Sequence, residues 1–168
     1  MLPIFRHAQL AIAAMVLSGC GHELVLPADQ NAAFDPIAFF EGHTHGEGEL
    51  RKLLSAPVHV SVDSVGRRVP GGLMLDQTIR EPGKPASTRQ WLIQKVADGR
   101  YTGQLTEAVG PVTATVTGPR AEIQYKMRHG LRVNQQLAEQ ADGKTLLNRL
   151  TVHKFGAQVA TLTETIRR

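Results

Sequence analysis

Four side chains able to ligate a metal stand at alternate positions: His43, His45, Glu47 and Glu49. On a strand, alternate residues project from one face. Two imidazoles and two carboxylates there are ligands of the kind zinc takes. Two histidines at i, i+2 leave the third and fourth ligands unfixed, so the same pattern also reads as a polar, solvated outer face. A second set is Arg89, Asn148 and Arg149. A guanidinium grips a carboxylate or phosphate in bidentate fashion. Pointing into an enclosed interior, these three would hold an anionic head group; pointing elsewhere, they would tie strands together. Trp91 and Tyr101 would supply aromatic walls to such a site. Trp91, the single tryptophan, serves core packing equally well.

Motifs for catalysis are missing. There is no Gly-x-Ser-x-Gly elbow. Gly143-Lys144-Thr145 resembles the end of a phosphate loop, but Ala138 stands where the leading glycine belongs, so the match fails. The reading is therefore of a protein with no enzymatic activity, no cofactor and no resident metal. A metal-dependent enzyme built on His43 and His45 is the weakest of the alternatives.

The one cysteine is Cys20. Arg6 gives the chain a cationic start, and a mostly apolar run from Ala8 to Leu17 follows. That run falls short of the ~20 apolar residues that span a bilayer. A positive start, a short apolar core and then small residues is the layout of a secretory signal. Leu17-Ser18-Gly19-Cys20 resembles the lipobox of bacterial lipoproteins. The resemblance implies cleavage before Cys20 and acylation of its sulfur and new amino group. One acyl chain anchors only marginally, at about 0.8 kcal/mol per buried CH₂, whereas three would hold firmly. Gly21 rather than aspartate after the cysteine implies, for that class, the outer membrane. The formal net charge of +4 is scattered along the chain. An exported protein meets no nucleic acid, so these charges read first as a solvated surface, with anionic headgroups as the next counterpart.

The elements that must position these residues are strands. Val58, Val60 and Val62 alternate with polar residues; so do Leu73, Leu75 and Ile79, then Ala121, Ile123, Tyr125 and Met127. Val69-Pro70-Gly71-Gly72, Asp98-Gly99 and Asp142-Gly143 supply turns between such runs. Nine or ten strands with short links and no convincing helix predict antiparallel neighbours. Closing the sheet removes its exposed edges. The expected fold is all-β, an antiparallel up-and-down lipocalin-like barrel of about 8–10 strands. Asp35-Pro36 predicts a capped turn whose phenylalanines, Phe34, Phe39 and Phe40, plug one end. The predicted organisation is a signal peptide over 1–19, the acylated cysteine and a flexible tether over 20–33, and the barrel over 34–168.

Several segments then resemble a Gram-negative lipoprotein family of unknown function with a lipocalin-like barrel. They are Phe39-Phe40-Glu41-Gly42, Arg89-Gln90-Trp91, Asp98-Gly99-Arg100-Tyr101-Thr102-Gly103, Val109-Gly110, and Leu147-Asn148-Arg149 running on to Lys154-Phe155-Gly156. The chain departs from that pattern at Asp76-Gln77-Thr78-Ile79, Thr106-Glu107-Ala108 and Gln136-Leu137-Ala138-Glu139, where acidic positions are expected. An activity carried by those positions would be lost or changed here. The resemblance implies an envelope location and a barrel, and no known reaction. The expected function is a membrane-anchored lipoprotein that binds a small apolar or amphiphilic ligand. The alternative is a filled barrel that supports an envelope complex.

Overall fold

The computed structural model describes residues 26–28 and 33–168. The export segment, Cys20 and most of the predicted tether lie outside the described residues. The body runs α1 (Pro36–Phe40), β1 (Gly42–Lys52), β2 (Val58–Val69), β3 (Gly72–Arg80), β4 (Ser87–Ala97), β5 (Arg100–Leu105), β6 (Val112–Thr117), β7 (Arg120–Met127), β8 (Leu131–Glu139), β9 (Thr145–Lys154) and β10 (Ala157–Arg167). Each strand pairs with the next, and β1 pairs antiparallel with β10, so ten strands form a closed barrel.

Closure puts one face of every strand inside. The inward rows are the apolar half of each alternation: Leu73 and Leu75 on β3, Ala121 and Tyr125 on β7, Leu146 and Leu150 on β9 are all buried. His43, His45, Glu47 and Glu49 face outward on β1, while Thr44 and Gly46 between them are buried. β1 carries glycines on its inner face for a reason. A Cβ at Gly46 would sit 2.0 Å from the carboxyl of Glu164 on β10. The missing side chain makes room for that acid inside the wall.

One end is plugged, as the sequence predicts, by a single capped helical turn. Asp35 caps it: its Oδ1 accepts from the Ile37 amide at 2.9 Å, and Pro36 opens the helix. Phe34 and Phe39 meet edge to face at 6.0 Å, and Phe39 meets Phe40 at 5.1 Å. The plug approaches β2 where a side chain would not fit, since a Cβ on Gly66 would lie 1.8 Å from the Phe40 carbonyl oxygen. The Phe34 amide donates to the carbonyl of Gly118, in the β6–β7 turn. The turns after β2, β4, β6 and β8 lie at this plugged end; those after β1, β3, β5, β7 and β9 lie at the other. Part of the predicted tether is held here. Arg120 donates to the Leu26 carbonyl, and Gln140 donates to that of Pro27 at 2.9 Å. Among the described residues no helix is long and apolar enough to cross a membrane.

Candidate functional site, a polar belt inside the barrel

Inside the barrel the apolar lining is interrupted. Thr44 of β1, Ser64 of β2, Gln77 of β3, Gln135 of β8, Asn148 of β9 and Glu164 of β10 are all buried and inward. Register sets them in two rows: Thr44 lies opposite Ser64, Ser64 opposite Gln77 and Gln77 opposite Arg89, while Asn148 lies opposite Glu164, whose other neighbour is Gly48, and Gln135 lies opposite Leu150. Apolar residues flank these groups on the inward faces, toward the plug and toward the opposite end, as Leu75 and Ile79 flank Gln77 and Leu146 and Leu150 flank Asn148.

Gln77 organises one half. Its Oε1 accepts from Arg89 Nε at 2.8 Å and from Trp91 Nε1 at 2.7 Å, and its Nε2 donates to Ser64 Oγ at 2.9 Å. Arginine and tryptophan can only donate, so the amide oxygen must face them. The Arg89 guanidinium lies 5.6 Å from the centre of the Trp91 ring, which stands edge to face with Tyr125 at 5.7 Å. Burial pushes the Tyr125 hydroxyl up to about 12, against the opposing pull of Arg89. Among the described residues no carboxylate comes within ion-pair distance of Arg89.

Glu164 organises the other half. Asn148 Nδ2 donates to its Oε2 at 2.7 Å. Burial raises its carboxyl above the ordinary glutamate range, and the Asn148 bond and the Arg89 charge only partly offset that. Three buried acceptors nearby have no partner: Thr44 Oγ1, Gln135 Oε1 and Asn148 Oδ1. A buried polar atom without a bond costs about 1–3 kcal/mol. These groups thus set a part-buried guanidinium, a protonation-prone acid and open acceptors within an apolar interior. Such an interior can fix the polar group of an amphiphile and leave its apolar part to the residues around it. Toward the plug there is little room: an apolar cavity of about 50 Å³ lies between Phe40, Trp91, Tyr101, Val116, Ala121 and Leu137.

The structure brings Arg89 and Trp91 together on Gln77 and buries Asn148 beside Glu164. Tyr101 is buried against the plug-side cavity. Arg149 is corrected: it alternates with buried Asn148 and Leu150, so it lies on the outer face and cannot grip a ligand inside. Sequence reasoning missed Ser64, Gln77, Gln135 and Glu164. Their signal was present: each is a single polar residue on an apolar stripe, as Gln77 is between Leu75 and Ile79, and Glu164 between Leu162 and Ile166.

His43 and His45 face the solvent. His45 Nδ1 lies 2.6 Å from Asp63 Oδ1 and its Nε2 3.1 Å from Glu47 Oε1; His59 reaches the same glutamate at 3.2 Å, and Arg80 pairs with Asp63. The Asp63 and Glu47 bonds raise the His45 imidazole above its usual value. This is a chain of exposed ion pairs. Among the described residues no group of three or more histidine, cysteine, aspartate or glutamate side chains is placed to hold a metal.

A closed antiparallel barrel with a helical plug and polar groups in its interior is a lipocalin-like barrel. The chain belongs to a family of proteins of unknown function, DUF3833, whose model matches residues 14–168. The fold is similar to that of an S-type phycobiliprotein lyase from Guillardia theta, with a TM-score of 0.63 at 7% identity over 79% of this chain and 89% of that one. It is also similar to a protein of unknown function from the DUF3598 family of Nostoc punctiforme, with a TM-score of 0.56 at 10% identity over 83% of this chain. The match spans about half of that protein, 51% of its length. At such identities the likeness is one of fold alone. No curated protein matches the sequence.

Proposed function

We propose that this protein is an envelope lipoprotein whose barrel binds one small amphiphilic molecule. The polar group of that molecule sits at the belt and its apolar part runs toward the open end. The observation that carries this reading is the unfinished bonding inside the wall. Thr44, Gln135 and Asn148 each keep an unpartnered buried acceptor, and the part-buried Arg89 close to them meets no carboxylate among the described residues. Packed interiors avoid such groups, and a ligand that both accepts and donates would complete them. A carboxylate or phosphate ester bearing a hydroxyl or amide fits that requirement. The 50 Å³ space beside the plug holds only a few atoms, which directs any tail upward. The lyase of similar fold gives this chain no reaction, and the outward His43 and His45 give no support to a metal-dependent one.

Acylation of Cys20 would hold the barrel to the outer membrane, facing the periplasm. The lipobox-like Leu17-Ser18-Gly19-Cys20 and the signal layout before it support that location.

Mass spectrometry of gently purified protein tests both halves. A tri-acylated Cys20 with cleavage before it, and one amphiphile released on denaturation, are expected. Arg89→Ala should lose most of the bound molecule and keep the acyl chains. If repeated preparations carry no small molecule, and none from an envelope lipid extract binds, the barrel is a filled scaffold. If Cys20 is unmodified, the anchor is wrong and the binding reading stands or falls by itself.

A further inference from the structure

The end of the barrel opposite the plug bears large apolar side chains in solvent. Leu53 is 64% exposed and Leu54 98% in the β1–β2 turn, Val109 54% in the β5–β6 turn, and Phe155 92% in the β9–β10 turn. Only one other large apolar side chain among the described residues is so exposed, Val96 near the plugged end. The backbone accepts strain to present two of them. Leu54 has φ 61° and Phe155 φ 51°, in the left-handed region that glycine normally fills. Strain of this kind persists where the surrounding structure enforces it, and it gathers at functional places.

The same rim is basic. The open-end turns and their flanking residues carry Lys52, Arg80, Lys84, Arg128 and Lys154 against Glu81 and Glu107. Glu81 takes both Lys52 and Lys84, and Arg80 pairs with Asp63. Arg128 and Lys154 meet no carboxylate among the described residues, and the Lys154 ammonium lies 5.6 Å from the centre of the Phe155 ring.

We infer that this open rim docks on a lipid bilayer bearing anionic headgroups. The apolar tips project from three separate turns, an arrangement that suits a fluid acyl region. The cations around them match headgroup charge, and aromatic and leucine tips flanked by basic residues are the chemistry of interfacial insertion. The inference needs no acyl anchor at Cys20. The chain enters the fold at the other end, where Leu26 and Pro27 are held by Arg120 and Gln140. The rim lies at the far end of the barrel from this entry point.

The test uses the full chain with a reporter tryptophan at the rim (Phe155→Trp) or near the plug (Val96→Trp), read above the Trp91 background. Vesicles of phosphatidylcholine and phosphatidylglycerol with brominated acyl chains are added to protein that is free or already seated in unbrominated vesicles. Emission from position 155 should shift to the blue and be quenched, and emission from position 96 should not. Leu54→Asp with Phe155→Asp should weaken partitioning by roughly tenfold for each side chain replaced. Both positions are exposed, and an unchanged near-ultraviolet spectrum would show that the barrel is intact. Quenching at neither position, or equal quenching at both, overturns the inference. Equal binding to pure phosphatidylcholine overturns the role of the basic ring.

Discussion

Two polar clusters occupy the two sides of the same wall, and they differ in what surrounds them. The outer one, His45 with Asp63, Glu47 and His59, is half exposed and internally matched: each acid has a base and water reaches all of them. The inner one, centred on buried Gln77, Asn148 and Glu164 with Arg89 part-buried beside them, is incompletely matched. In water, charge–charge contacts exchange one good partner for another, so exposed pairs contribute about 0–1 kcal/mol. Inside the barrel no such exchange is available, and every donor or acceptor must be met by protein or ligand. Density of charge therefore says little about importance here. The sparser inner set is where the fold sacrifices stability, and so where binding is to be sought.

That contrast can be broken at Gln77. Gln77→Leu keeps the volume but strips partners from Arg89 Nε, Trp91 Nε1 and Ser64 Oγ together, which should cost about 3 kcal/mol or more. A shift in the denaturant midpoint at constant slope measures it; a loss under about 1 kcal/mol would mean that water already fills the belt.

Gln135→Leu should act in the opposite sense. It removes an unpartnered buried oxygen and leaves an apolar side chain of similar size, so the ligand-free protein should gain about 1 kcal/mol while retention of the ligand falls. Gain and loss together mark a binding residue; loss of stability alone would mark a structural one.

Glu164→Gln separates charge from shape. The folded state holds the Glu164 proton more tightly than the unfolded chain does, because burial raises its pKa. Its contribution is therefore fully present below the ordinary glutamate value and is lost as pH rises through the raised one. The variant should match the wild type near pH 4 and exceed it at neutral pH and above, as followed by Tm. An unchanged difference across that range would mean that the acid reaches solvent.

On the outer face His45→Ala should cost well under about 1 kcal/mol. The small stabilisation from His45 is present below the ordinary histidine value and disappears as pH rises through its raised folded value. Salt should erase it, whereas salt should leave the Gln77 effect in place.

Much of the barrel was legible in the chain. The alternation of Leu73, Leu75 and Ile79, the Asp98-Gly99 and Asp142-Gly143 turns, and the Asp35-Pro36 cap are local signals that a few neighbouring residues settle. The correct inward face was legible too, and with it Asn148 and Arg89. Arg149 was misplaced because it was grouped by family segment with Asn148, although strand period puts adjacent residues on opposite faces. Ser64, Gln77, Gln135 and Glu164 were passed over as gaps in apolar stripes, when the gap was the signal.

The sequence by itself determined the strands, their turns and which side of each is greasy, because those follow from the period of two and from turn dihedrals. Only the tertiary structure decided that Ser64, Gln77 and Arg89 form one interior row and Asn148 and Glu164 another, and that His45 lies against Asp63. Those rows depend on the register of ten pairings, the last of which joins β1 to β10 across the whole length of the body. Slipping one of them by a single residue would turn that strand's polar groups out to solvent.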